Sequence, residues 1–276
     1  MVIKAIYGGD SRKEHSAMPL EWRVIGNATA MVVDKQALVF DSDGVFRYER
    51  SLSSRLNGDC EGNPVRFNDQ PTPGRCTATL IAPNMVATAG HCIAPHLCVR
   101  LDFIFGATSE SMVLGSHFAS SLRYSCASVE VSVSSGGQDW AVVRLDQSVP
   151  ASIASPVRIA QTEVVVGMPI MGIGHPDGLP RKYTGEAQVQ QVARPGTPAF
   201  RFATNLDAFV GSSGSGVFET ERREMVGIIV SGQRDYDDKG CLIRYPQEQG
   251  ATEDAVGDAL RLRCDHALIV VATRRC

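Results

Sequence analysis

Short runs of valine, isoleucine, threonine and alanine alternate along this chain with clusters of Gly, Pro, Asn and Asp. Ala30–Val33, Thr77–Ile81, Met85–Thr88, Val129–Val133, Trp140–Leu145, Val164–Ile170, Ala187–Val192 and Met225–Val230 are strand-sized and β-branched. Turn signals lie between them: APN at 82–84, SSGGQ at 134–138 and HPDGLP at 175–180. This pattern predicts an all-β protein. Thr252–Arg263 predicts a short C-terminal helix, because its acids come early and its arginines late, as the helix dipole favours. Asn57–Gly74, rich in Pro and Gly, reads as a long surface loop. A softer boundary near Asp146–Pro156 splits the strands into two comparable sets, and no internal repeat is visible.

Composition narrows the class. The 276 residues are 43% hydrophobic and 21% charged, enough for a sizeable core. A formal net charge of −3 offers no basic face for nucleic acid. No apolar run approaches the roughly 20 residues that span a bilayer, so a membrane is not an expected partner. Eight cysteines point to disulfides and an oxidising compartment, secreted or periplasmic. MVIKAIYGGD has no apolar h-region, so the sequence reads as a mature form with its leader removed.

FVGSSGSGVF, Phe209–Phe218, sets three serines and three glycines between apolar flanks that want burial. A linker would lack such flanks. A Gly-rich turn can instead aim two amide N–H groups at one point, as an oxyanion site requires. Upstream, ATAGHC places His91 after a strand-like stretch and a Gly turn, and QDWAVVRL places Asp139 at the mouth of an apolar run. A buried Asp there can accept from an imidazole and fix its tautomer; a serine hydroxyl needs such a base to become a nucleophile. Ser213 has glycines two positions before and one after it. The order His91, Asp139, Ser213 differs from the serine-acid-histidine and aspartate-histidine-serine orders of other hydrolase designs. Asp102, inside VRLDFIFGA, is the rival acid.

Three blocks, TATLIAPNMVATAGHC, DWAVVRL and GSSGSGVF, together with VGIIVSG at 226–232, resemble the chymotrypsin-like (trypsin-fold) serine peptidases across roughly Arg75–Gly232. The serine block is similar to the bacterial, glutamyl-endopeptidase-like branch, with Ser212 and Gly216 replacing that branch's usual Asn and Pro. The resemblance implies two six-stranded antiparallel β-barrels in a single domain spanning 1–276, the first over 20–146 and the second over 147–250. It implies Ser213 as nucleophile, His91 as base and Asp139 as its orienting acid. Gly211 and Ser213 N–H would form the oxyanion hole, with Ser212 and Ser215 as turn residues and His175 in a structured loop near the cleft. It also implies a Cys76–Cys92 disulfide around the histidine. Cys98–Cys126 and Cys241–Cys264 are pairings suggested by proximity, leaving Cys60 and Cys276.

The expected function is then a secreted serine endopeptidase, monomeric, acting on protein or peptide substrates without a cofactor; the alternative is an inactive binding protein on the same fold. Substrate contacts are expected from Asp207, Ala208, Val230, Ser231 and Gly232. Asp207, six positions before Ser213, would sit at the pocket base and favour Lys or Arg. In the other reading it turns away and Phe209 fills the pocket. Ile228, Ile229 and Val230 stand where the glutamyl-specific branch carries a histidine, which weighs against acidic substrates. Ser212 cannot make the ion pair that the animal branch forms with a new N-terminus, so AIYGG is not read as an activation end. The His/Cys cluster HCIAPHLC fits no common zinc spacing, and DSDG (41–44) and DYDD (235–238) read as solvated turns, not calcium loops. No metal is expected.

Overall fold

The β-branched runs pair into two closed, six-stranded antiparallel barrels, as the resemblance implies. The computed structural model describes residues 6–7, 9–40, 45–47, 65–112, 117–135, 138–192, 201–232, 235–245 and 253–256. In the first barrel β1 is Thr29–Asp34, β2 Cys76–Ala82, β3 Met85–Thr88, β4 Leu101–Ile104, β5 Arg123–Val133 and β6 Trp140–Leu145. They close in the order β5-β6-β3-β2-β1-β4. In the second, β7 is Pro169–Gly174, β8 Lys182–Val192, β9 Arg201–Thr204, β10 Gly216–Glu219, β11 Met225–Ser231 and β12 Glu253–Val256. Their order is β7-β10-β11-β12-β9-β8, and β8 returns to β7 through pairs such as Ile173↔Tyr183.

Closure explains the burial. Thr77, Ala78, Thr79 and Leu80 of β2 are all fully buried, because one face fills the barrel and the other packs inside the protein. The largest apolar cluster joins Leu80, Val86, Phe103 and Val143 of the first barrel to Ile173, Phe218 and Ile228 of the second. Burying each such side chain contributes about 1.5–3 kcal/mol. A second cluster, with Ile170, Val189, Phe202, Leu206 and Val217, fills the second barrel. The two barrels are therefore locked face to face, which fixes the cleft between them.

Four expectations need correction. Glu253–Val256, inside the expected helix, is strand β12, hydrogen-bonded between β9 and β11; the rest of that helix lies outside the described residues. Without β12 the second barrel would stay open, and completing the ladder outweighs local charge placement. In the run expected at Val164–Ile170, strand β7 begins only at Pro169, just after Gly167 and Met168 bond to Val189 of β8, while Val165 and Val166 are exposed at 52% and 61%. Of the expected surface loop, Val65 and Thr72 are buried, whereas residues 57–64 lie outside the described set. Asp235 in DYDD is only 3% exposed and is no solvated turn; DSDG lies outside the described residues.

Two elements had no clear advance signal. A helix at Leu20–Gly26 is too short for a periodic pattern, and packs Trp22 edge-on to Phe218 with ring centroids 6.3 Å apart. The N-terminal segment straps onto the second barrel. Ile6–Tyr7 pairs in parallel with Arg244–Tyr245, and Lys13–Glu14 pairs with Lys182–Tyr183 of β8.

Candidate active site

His91 sits on a tight turn, Gly90–Cys92, just after β3. The turn presses against β5: a Cβ on Gly90 would lie 2.1 Å from the Val133 carbonyl oxygen, so only glycine allows this approach. Asp139 immediately precedes β6, which pairs with β3, so the sheet register brings the two residues together. Asp139 accepts from the His91 backbone N–H at 2.8 Å and, through its other oxygen, meets Nδ1 at 2.7 Å. Two contacts from one carboxylate fix both the turn and the ring. The opposite nitrogen, Nε2, lies 2.9 Å from Ser213 Oγ. An anionic carboxylate can only accept, so Nδ1 carries the proton and Nε2 faces the hydroxyl as an acceptor. Asp102, the rival acid, is fully buried and instead accepts from Arg123 Nε and Ser125 Oγ at 2.5 and 2.8 Å.

The turn carrying Ser213 is built from its own short bonds. Ser212 N–H donates to Phe209 O and Ser215 N–H to Ser212 O, both at 2.8 Å. Ser212 Oγ in turn accepts from Phe209 N–H at 3.2 Å, which makes it a turn residue. Gly214 N–H donates to Ile229 O at 2.7 Å, anchoring the turn on β11. Gly211 has φ +95°, and a Cβ there would meet His175 O at 2.7 Å, so it has to be glycine.

Thr77 of β2, at the head of the TATLIAPNMVATAGHC block but given no role there, crosses the barrel interface. Its N–H donates to Ser213 O at 2.8 Å, and its hydroxyl donates to Gly211 O at 2.9 Å. The same oxygen accepts from His175 N–H at 2.9 Å. His175 is fully buried, its Nδ1 donating to Leu179 O at 2.9 Å; burial lowers its pKa to about 3, so it is a neutral structural group. It lies in a structured loop beside the turn.

The expected substrate contacts divide. Ala208 and Val230 are fully buried in the two apolar clusters, so neither side chain offers a surface to a substrate. Ala208 belongs to the cluster that fills the second barrel, and Val230, like Ile228 two positions before it on β11, to the cluster between the barrels. Ser231 and Gly232 are half-buried at the end of β11. Asp207 is 4% exposed, and its Oδ2 accepts from Ser11 N–H and O–H at 2.7 and 2.6 Å. Phe209 is fully buried beneath the Arg12 guanidinium, 4.1 Å from its ring centroid.

Cysteines are joined as Cys76–Cys92 and Cys98–Cys126, the first tethering β2 to the His91 turn. Cys241 is also disulfide-bonded, while Cys60, Cys264 and Cys276 lie outside the described residues. Cys76, His91 and Cys92 come close enough to suggest a metal cluster, but the disulfide removes both thiolates and His91 is committed to Asp139.

Two barrels with a serine, a histidine and an aspartate in one chain of hydrogen bonds at their junction describe a trypsin-like serine peptidase. The family model for the trypsin-like peptidase domain matches residues 76–228, more than half of the chain, and the protein belongs to that family. No curated protein matches it. Among solved structures, one of Glu endopeptidase in complex with MPD is similar at 16% identity and a TM-score of 0.55. The match covers 96% of this chain and 99% of that one, and shows the shared fold.

Proposed function

We propose that the chain is a secreted serine endopeptidase, acting as a monomeric single domain through His91, Asp139 and Ser213. The observation that carries this reading is the unbroken line Asp139–His91–Ser213, with contacts of 2.7 and 2.9 Å. Ser213 Oγ attacks the scissile carbonyl while Nε2 of His91 takes its proton; the resulting imidazolium is stabilised by Asp139. His91 then returns the proton to the departing amine, and the acyl-enzyme is released by water through the same cycle run in reverse. N–H groups of Gly211 and Ser213 receive the oxyanion, each such donor being worth about 3–4 kcal/mol in comparable sites. Disulfides at Cys76–Cys92, Cys98–Cys126 and Cys241 support an oxidising compartment. Among the described residues no helix is long and apolar enough to cross a membrane.

The finer part of the proposal concerns the residue before the cut. Asp207 would draw Lys or Arg, since a carboxylate is the group that pairs with a cationic side chain, and its Oδ2 is already oriented by Ser11. Its near-complete burial means that a substrate side chain has to share or displace Ser11.

A fluorophosphonate probe tests the central reading. It should label Ser213 in the folded protein, and Ser213→Ala should abolish labelling while lowering turnover of a peptide library by several orders of magnitude. A folded protein that is not labelled at Ser213 would instead be the inactive binding protein on this fold.

A further inference from the structure

The resemblance marks Gly211 as an oxyanion donor but not what holds its N–H in place. Both backbone polar groups of the preceding Val210 are taken from outside the turn. Its carbonyl accepts from Asp177 N–H at 2.5 Å, and its N–H donates to Asp235 Oδ2 at 2.9 Å. Described peptides include no cis bond, and in a trans unit the C=O and N–H point in opposite directions. The Asp177 bond to Val210 O therefore turns the Gly211 N–H away from the 175–178 loop, and losing it frees that peptide to rotate.

Asp177 is itself held in an unfavourable state. Its φ is +55°, a left-handed value that few non-glycine residues adopt, and its side chain is almost fully buried. Tyr236 O–H donates to its Oδ2 at 2.8 Å, and Arg12 NH1 lies 4.0 Å from the same oxygen. Arg12 is fully buried, bonded to Asp10 through Nε and NH2 at 2.9 and 2.8 Å and lying over Phe209. Burial opposes the Arg12 charge, but Asp10 and then Asp177 outweigh it and hold its pKa above the usual value. A fully buried cation here has a cost that catalysis-free packing does not require.

We infer that Arg12 and Tyr236, acting through Asp177, clamp the Val210–Gly211 peptide so that its N–H faces the oxyanion; they are positioning residues for the reaction. This rests on the peptidase reading above. It also gives the N-terminal strap a role: the segment that delivers Arg12 becomes necessary for turnover although it lies some two hundred positions before the nucleophile.

Tyr236→Phe removes only the hydroxyl and is the decisive variant; Arg12→Met removes the charge, and Arg12→Lys restores it. Active sites are first counted by exhaustive fluorophosphonate labelling, and kcat, KM and the affinity for a peptidyl trifluoromethyl ketone, whose hemiketal oxygen mimics the oxyanion, are measured per labelled site. The clamp predicts that Tyr236→Phe and Arg12→Met lower kcat roughly 10- to 100-fold, below the 100- to 1,000-fold typical of losing a whole donor. KM should stay within about twofold, ketone affinity should fall in step with kcat, and Arg12→Lys should recover part of both. If kcat per labelled site and ketone affinity match the wild type in Tyr236→Phe, the clamp is overturned and the cluster is structural, whether or not Arg12→Met folds. If the wild type itself is not labelled at Ser213, the peptidase reading fails and the clamp with it.

Discussion

Thr77 Oγ1, in the first barrel, donates to the Gly211 carbonyl of the second at 2.9 Å. This bond ties the turn that presents the nucleophile to the strand that leads, through Cys76–Cys92, to the His91 turn. The two halves of the site are thus referenced to one buried residue. Thr77→Val keeps the shape but removes the hydroxyl, leaving Gly211 O and His175 N–H unsatisfied. Each buried orphan costs about 1–3 kcal/mol. Thr77→Val should therefore lower the melting temperature and reduce kcat more than it raises KM, whereas Thr77→Ser should behave close to wild type. Thermal unfolding and steady-state kinetics on the pair check this; equal behaviour of Val and Ser would remove Thr77 from the site.

Reducing Cys76–Cys92 should destabilise the His91 turn. The partners are sixteen positions apart, and a disulfide closing a loop of that size stabilises by about 3 kcal/mol. The Cys76→Ser/Cys92→Ser double variant should show a lower denaturant midpoint and weaker fluorophosphonate labelling. Non-reducing peptide mapping that finds both thiols free in active protein would contradict the pairing.

Specificity turns on one carboxylate. Cleavage after Arg or Lys should exceed cleavage after Glu, Phe or Leu, and Asp207→Ser should erase that preference. A preference unchanged by the substitution would assign Asp207 to anchoring Ser11 and the strap, with no part in substrate choice.

Acid should destabilise the fold through His175. Its pKa is about 3 in the fold because burial disfavours the charged ring, against the ordinary 6.5 of an unfolded chain. Between those values the unfolded state binds the extra proton, so this contribution to stability is full above about pH 6.5 and falls as pH drops toward 3. Half-buried His15, lowered to about 4 by burial and then by Arg181, acts in the same direction over a narrower window. Urea midpoints measured from pH 7 to 4 should decline, and His175→Gln should flatten the decline even if it starts lower. Parallel curves for the two proteins would show that another group governs acid unfolding.

Much of this protein is legible in its sequence because its signals are local. A β-branched run between turn residues reads as a strand wherever it pairs, and seven of the eight expected strands lie within the observed ones or coincide with them. His91, Asp139 and Ser213 each sit beside a recognisable turn or strand mouth, so their types and order could be read without coordinates. The remainder depends on who lies next to whom after folding. Glu253–Val256 is a strand because β9 and β11 leave a gap in the barrel, a fact with no trace in its own charges. Thr77, Asp177, Asp235 and Tyr236 lie in a block, a turn and an acidic patch that the sequence marks, and Arg12 in none, but their neighbours along the chain do not tell what they touch. Burial is what gives them meaning: once water is excluded, each donor or charge has to find a partner. Those partners stand up to some two hundred positions away, where no periodicity or spacing rule can reach.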